Sequence, residues 1–309
     1  MKSMTRRRIL QSASAAAAVP ILANSGPARA QAPQESEDGI RIEEDIVFAK
    51  GGDIDLPLDV FHPAPGTSKR MAIVHVHGGG FFAGDKGLVA VSARMFARQG
   101  YTGIASSYRL QGQAKWPAQI EDVKAAIRWT RANAERLEID ADKIAVAGYS
   151  AGGMLALFAA GTNGRPEFEG TGGFDNVSSE VAACVAFYAA PRATPGLFPE
   201  GEATEEAIAA ASPTSLIGPD FAPTIFLHGV ADTTIPYTSS VDFFNGLHEA
   251  GVKVDLHLLQ GAPHAFERPS PDAALASAEI SNLFLDRVVV NPRDYPPFRF
   301  PGARGRQPG

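Results

Sequence analysis

From residue 71 onward the chain alternates between two patterns. Short runs with apolar residues at nearly every position, at 71–76, 101–107, 143–147, 181–188, 223–229 and 252–259, are separated by longer amphipathic stretches. Hydrophobes on both parities suit strands covered on both faces, and so predict a mostly parallel sheet. Between the runs, apolar residues recur at three-to-four spacing over 87–99, Pro117 to Glu135, 151–161, 238–250 and 272–288, which predicts helices. Pro117 fits a first helical turn, while Gly100 and Gly251 follow two of these stretches as stop signals. In the Pro117 helix, Ile120, Val123 and Ile127 form one apolar row, with Trp129 and Ala132 on an adjacent one. Two earlier strands, 41–49 and 54–62, are joined by Gly51-Gly52-Asp53 and predict an antiparallel hairpin at one edge. The fold class expected is α/β: an eight-stranded, mostly parallel sheet with helices on both faces and right-handed crossovers.

Residues 41–290 carry this alternation as one domain. The polar, turn-rich stretch 31–40 reads as a linker, and 291–309, rich in proline, glycine and arginine, as an extended tail. Two long connections of weak pattern, 162–180 and 192–218, are expected to have a task, and whether the second acts as a lid is not legible in the sequence. Residues 1–30 run from a basic end with Arg6-Arg7-Arg8-Ile9-Leu10 through a short Ala-rich stretch to Ala28-Arg29-Ala30. That order predicts an export signal of the twin-arginine type, cut near Ala30, and a periplasmic or secreted protein. Gln11, Ser12 and Ser14 interrupt the apolar run, which falls short of the ~20 residues a membrane span needs.

Composition narrows the function. With 309 residues, 45% hydrophobic and 20% charged, the chain is long enough for a sizeable core and unlike a disordered or polytopic membrane protein. Acids outnumber bases 34 to 28, and removing the five cations of residues 1–30 takes the net charge from −6 to −11. Nucleic acid is therefore not an expected partner, since phosphate binding needs a positive face. The lone Cys184 excludes a disulfide framework and a Cys-rich zinc site, and its run Val181-Ala182-Ala183-Cys184-Val185-Ala186-Phe187 places it in the core.

Chemistry enters at two strand ends. Ala145-Val146-Ala147-Gly148-Tyr149-Ser150-Ala151-Gly152-Gly153 runs from a strand through Gly-x-Ser-x-Gly into a helix, a turn so tight that flanking glycines are needed and the hydroxyl is left exposed. By chance the five-residue pattern would appear about 0.2 times in a chain of this composition. Val74-His75-Val76-His77-Gly78-Gly79-Gly80-Phe81 ends another strand, and its glycines free backbone N–H groups to face a substrate oxygen.

A nucleophilic serine needs a base, and the base needs an orienting acid. Asp232 follows the strand Pro223 to Gly229, and His264 follows the strand Val252 to Leu259, both at carboxyl strand ends. Asp220 precedes a strand and Asp242 falls within a helix. Among the other histidines, His75, His228 and His257 lie in strands, His62 on the hairpin and His248 in a helix, while His77 is placed to steady the glycine loop. The assignment is therefore Ser150 as nucleophile, His264 as general base and Asp232 as its partner, in the order Ser, Asp, His. The N–H groups of Ala151, Gly79 and either Gly78 or Gly80 form the oxyanion hole. Phe81, Phe82, Tyr149 and Trp116 are candidates for the substrate pocket or, equally, for the core. No metal or organic cofactor is needed.

Over residues 41–290 these motifs resemble the α/β-hydrolase superfamily, within it the carboxylesterases that share the His-Gly-Gly-Gly loop of hormone-sensitive lipase. Ser107-Tyr108-Arg109-Leu110, the stretch from Trp116 to Ala126, Ser150-Ala151-Gly152-Gly153 and His228 to Pro236 are similar to the branch of bacterial acetyl xylan and feruloyl esterases. That branch commonly carries His-Leu-Ala where this chain has Met154-Leu155-Ala156. The resemblance implies a serine carboxylesterase acting on small-acyl esters, carbohydrate esters among them. A formamidase or lactonase with the same triad, and a non-catalytic binder on the same fold, stand as alternatives.

Overall fold

The computed structural model describes residues 34–35 and 37–296. The segment read as an export signal and residues 297–309 of the tail lie outside the described residues.

Nine strands form one sheet: β1 (Gln34–Glu35), β2 (Arg41–Gly51), β3 (Ile54–His62), β4 (Ala72–Val76), β5 (Thr102–Ser106), β6 (Ile144–Tyr149), β7 (Ala183–Phe187), β8 (Thr224–Gly229) and β9 (Val254–Leu259). Their spatial order is β1-β2-β3-β5-β4-β6-β7-β8-β9. The expected eight strands are all present, with β2 and β3 as the antiparallel edge hairpin and β3 antiparallel to β5. From β5 through β9 every neighbouring pair is parallel. The two-residue β1, inside the stretch read as a linker, pairs with Arg41 and Ile42.

The doubled hydrophobic parity of the central strands maps onto two cores. In β4, Ala72, Val74 and Val76 pack on one face, where α2 (Ala118–Ala132), α3 (Ala151–Gly161) and α5 (Thr238–Glu249) lie. Ile73 packs on the other, against α1 (Ala90–Arg98) and α6 (Pro271–Leu285). The same split divides Ile144 and Val146 from Ala145 and Ala147 in β6. Cys184 is fully buried in the first core, and burial pushes its thiol far above the ordinary range. β9 departs from the expectation of cover on both faces: Leu258 is 41% exposed, because β9 is the last strand of the sheet and has one neighbour, β8.

Helix α2 buries the expected Ile120, Val123, Ile127 and Trp129 but leaves Ala132 exposed. It also buries Lys124 and Arg128, which the apolar pattern did not anticipate. Lys124 Nζ donates to Thr162 O, Glu169 Oε1 and Ser179 Oγ, and Arg128 to Glu169 Oε2 and Gly173 O. Connection 162–180 therefore serves as the cover of two buried cations, a task fitted to its polar composition. Connection 192–218 contains a short helix, α4 (Glu205–Ala210), capped by Thr204, whose Oγ1 accepts from Ala207 N at 3.1 Å. Six residues are too few to show a helical period.

Register places the chemistry. Val76 of β4 pairs with Gly148 of β6, which pairs with Ala186 of β7, so the carboxyl ends of the central strands open on one rim. The loops following β4, β6, β8 and β9 all leave from that rim.

Candidate active site

Ser150 stands between β6 and α3 with φ +56° and ψ −116°, a backbone geometry that costs a non-glycine residue about 1–3 kcal/mol and collects at functional sites. Gly148 and Gly152 permit the turn: a Cβ on Gly152 would overlap the carbonyls of Val76 and His77, and one on Gly148 would overlap Gly152 O. The Ser150 hydroxyl makes no cap hydrogen bond to α3, so the helix does not use it. Instead Ser150 Oγ lies 3.0 Å from His264 Nε2.

His264 Nδ1 lies 2.7 Å from Asp232 Oδ2. Asp232 sits in a tight turn after β8, where Oδ1 accepts the N–H groups of Thr234 and Ile235 at 2.8 and 2.9 Å. Burial raises the pKa of this carboxyl, but the Ile235 amide, the His264 ring and the Thr234 amide more than reverse it, leaving it below the ordinary carboxylate value. Asp232 is thus an anion able to hold His264 with Nδ1 protonated and Nε2 facing the serine. The structure brings Ser150, Asp232 and His264 together from three separate loops.

The glycine loop lies beside them. A Cβ at Gly78 would stand 3.2 Å from Ser150 Cβ and 2.8 Å from the Tyr149 carbonyl, which measures how closely the loop passes the elbow. Gly79 has φ +113° and its own Cβ would overlap Ala83 O, so the loop's shape depends on glycine there. Among the described residues the N–H groups of Gly78, Gly79, Gly80 and Ala151 make no hydrogen bond within the chain, so all four donors of the loop and the elbow are left free near the rim. The loop is held from below: His77 Nδ1 donates to Gly78 O at 2.7 Å, and its ring stacks on Tyr108 at 4.2 Å. Tyr108 O–H in turn donates to His77 O at 3.1 Å. Burial lowers the His77 pKa, in keeping with a neutral ring.

A cavity of about 370 Å³ opens over Ser150 and His264. Gly79, Phe82, Leu88 and Val89 form its apolar side, and Thr234, Glu267 and Arg268 add polar groups. Of the aromatic candidates, Tyr149 reaches the cavity wall, but its ring stacks on Phe187 at 4.5 Å and its O–H meets His75 Nδ1 at 3.1 Å, so most of it is core. Phe81 and Trp116 are corrected. Phe81 is 1% exposed and packs into the core, while its neighbour Phe82, 68% exposed, lines the cavity. Trp116 packs edge-on against Phe158 and near Phe168, half-buried against the core, and does not line the cavity. No residue of 192–218 lines it. Met154 is fully buried in the core and does not line the cavity.

Two groups escaped sequence reasoning. His228, set aside as a strand residue, is fully buried with Nε2 between Asp232 Oδ2 at 3.2 Å and Ile235 O at 3.0 Å, and Nδ1 2.7 Å from Ser240 Oγ. Two acceptors at Nε2 put the proton there, so the Ser240 hydroxyl donates to Nδ1. The second is the pair Tyr188 and Glu267, considered below. Among the described residues no cluster of three or more His, Cys, Asp or Glu could hold a metal, and no helix is long and apolar enough to cross a membrane.

Comparison with known proteins agrees with this architecture. Residues 58–194 match the family model BD-FAE. Esterase LipC of Mycobacterium tuberculosis is 30% identical over 240 residues, covering 72% of this chain and 59% of the relative. Esterase LipQ of the same organism is 29% identical, covering 84% and 64%. The chain thus spans about three fifths of the length of the curated relatives it matches. Among solved structures, an esterase from the planctomycete Thermogutta terrifontis superposes with a TM-score of 0.70 at 28% identity, covering 83% of this chain and 95% of that one. A truncated carbohydrate esterase from gut microbiota gives 0.67 at 26%, covering 79% and 99%. Strand order, parallel register and these likenesses together identify the fold as that of the α/β-hydrolases.

Proposed function

We propose that the protein is a serine carboxylic-ester hydrolase acting on small-acyl esters, esters of carbohydrate among them. The observation that carries this reading is the chain of contacts from Ser150 Oγ to His264 Nε2 at 3.0 Å and from His264 Nδ1 to Asp232 Oδ2 at 2.7 Å. As Ser150 Oγ attacks the ester carbonyl, its proton passes to His264 Nε2, and Asp232 stabilises the imidazolium that forms. The carbonyl electron pair moves onto oxygen, which the free N–H groups of Ala151, Gly79 and either Gly78 or Gly80 receive, each worth about 3 to 4 kcal/mol in the transition state. Collapse expels the alcohol, which takes the proton from His264 and leaves an acyl-serine. Water then repeats the sequence and releases the acid.

The cavity volume of about 370 Å³ is near the lower end for small-molecule sites and supports a short acyl group. The carbohydrate reading is supported by the gut-microbiota esterase likeness and by the phrases shared with acetyl xylan and feruloyl esterases. Export through residues 1–30 belongs to the same proposal and is checked by fractionating cells that express the full chain against one with Arg6 and Arg7 replaced by Lys. For the activity, hydrolysis of 4-nitrophenyl esters of rising chain length is compared with acetate release from acetylated xylan. Acetate or butyrate esters are expected to lead, and a preference for long chains overturns the small-acyl assignment. Ser150→Ala is expected to lower turnover by on the order of 10⁴-fold or more while remaining folded.

A further inference from the structure

The segment leaving β7 touches both reacting partners. Phe187 O accepts Ser150 N–H at 3.0 Å, and Ala190 N–H donates to Ser150 O at 3.1 Å, so its backbone brackets the elbow. Between these two contacts, Tyr188 turns with φ +36° and directs its side chain to the loop that follows β9. The Tyr188 ring meets the His264 imidazole edge-on, with centroids 4.6 Å apart, and packs against Phe266 at 5.7 Å. Its O–H donates to Glu267 Oε1 at 2.6 Å.

Both residues are buried, Tyr188 at 1% exposure and Glu267 at 2%, and Glu267 Oε2 has no partner among the described residues. A buried carboxyl with one oxygen unsatisfied is costly, and an apolar side chain of similar volume would pack there at less cost. Glu267 takes no proton in the hydrolysis described above. Tyr188 and Glu267 both border the cavity, and their hydrogen bond holds the Tyr188 ring, and through it the loop 264–267, against the same segment that grips Ser150.

We infer that the Tyr188–Glu267 hydrogen bond is a brace that sets the Ser150–His264 separation, making both residues positioning residues for the proposed hydrolysis. The inference rests on that reading. Misplacing a reacting group by about 1 Å costs on the order of 10²-fold in rate, so a brace of this kind acts on kcat and leaves KM nearly alone.

The test is steady-state hydrolysis of 4-nitrophenyl acetate by the full chain and four variants. Tyr188→Phe and Glu267→Leu each break the hydrogen bond, and kcat is expected to fall about 10- to 100-fold with KM changed less than about twofold. Glu267→Gln keeps the accepting oxygen and is expected to hold kcat within about threefold of the native protein. The double variant Tyr188→Phe with Glu267→Leu is expected to fall no further than the worse single one, as for two halves of one contact. Should Glu267→Leu not fold, Tyr188→Phe, which removes one oxygen and keeps the ring, carries the test. If the native protein hydrolyses no ester, or Ser150→Ala retains activity, the hydrolase reading fails and the brace with it. If that reading holds while Tyr188→Phe keeps kcat within twofold, or Glu267→Gln falls as far as Glu267→Leu, the brace alone is refuted.

Discussion

His228 and Asp232 meet at 3.2 Å with both side chains shut off from solvent, on the same carboxylate oxygen that His264 approaches at 2.7 Å. Burial is the first cause of a lowered His228 pKa, so this ring is neutral and its Nε2–H is a donor to Asp232 that involves no charge transfer. It helps fix where the Asp232 carboxylate points and, in the proposed hydrolysis, does not compete for the proton that His264 takes. Replacing His228 with Ala orphans Ser240 and Ile235 O as well as Asp232. We expect a stability loss of about 1–3 kcal/mol and a kcat about tenfold lower. Denaturant unfolding alongside kinetics checks both, and a native-like kcat would show that Asp232 needs no such support.

The lowered Asp232 pKa has a sign that a titration of stability can read. A carboxyl whose folded pKa lies below its unfolded value of about 3.9 contributes stability that is fully present above that value and lost as pH falls through the folded pKa. Asp232→Asn removes this contribution, so its unfolding free energy is expected to depend less on pH below about 4 than that of the native protein. The same change leaves the wrong imidazole tautomer favoured and is expected to lower kcat by about 10⁴-fold near neutral pH. Parallel acid-unfolding curves for the two proteins would refute the first expectation.

Gly79→Ala asks the glycine loop for a conformation that alanine avoids, with its Cβ directed at Ala83 O. The loop has to shift, and with it the N–H donors that the proposed hydrolysis assigns to the oxyanion. A fall in kcat of about 10²- to 10³-fold is expected, with a small change in melting temperature, since the loop lies at the rim. An alanine variant with unaltered kcat would remove Gly79 from the oxyanion hole.

Phe82 and Trp116 separate recognition from packing. Phe82 projects at the cavity mouth, 68% exposed, so Phe82→Ala is expected to change KM across an acyl series with little effect on stability. Trp116 packs on Phe158 with ring centroids 4.9 Å apart, and Trp116→Ala is expected to cost about 2 kcal/mol of stability while KM stays put. Reversed outcomes would exchange the two assignments.

Much of this was legible in the chain itself. Doubled apolar parity at 71–76 or 143–147 is a local pattern, and it arises because each face of a central strand must meet its own helix layer. The Gly148-x-Ser150-x-Gly152 turn is legible for the same reason: its steric demand falls on neighbours in sequence. Asp232 and His264 could be located because strand ends gather at one rim in a parallel sheet, a property of topology that a strand count reveals.

Other features depended on contacts between residues far apart in the chain. That Lys124 and Arg128 lie inside, that Phe82 and not Phe81 lines the cavity, and that Trp116 belongs to the core follow from a loop covering two cations, from the packing of Phe81 among distant core residues and from rings at 158 and 168. By sequence His228 is one more strand residue, and nothing in the pattern singles out Glu267. Each acquires its place from a partner, Asp232 in the turn ahead or Tyr188 from another strand, that only the folded chain supplies. Sequence determined the elements and the rim. Tertiary structure decided which side chains share it, because hydrogen bonds and packing at this site act across space and not along the backbone.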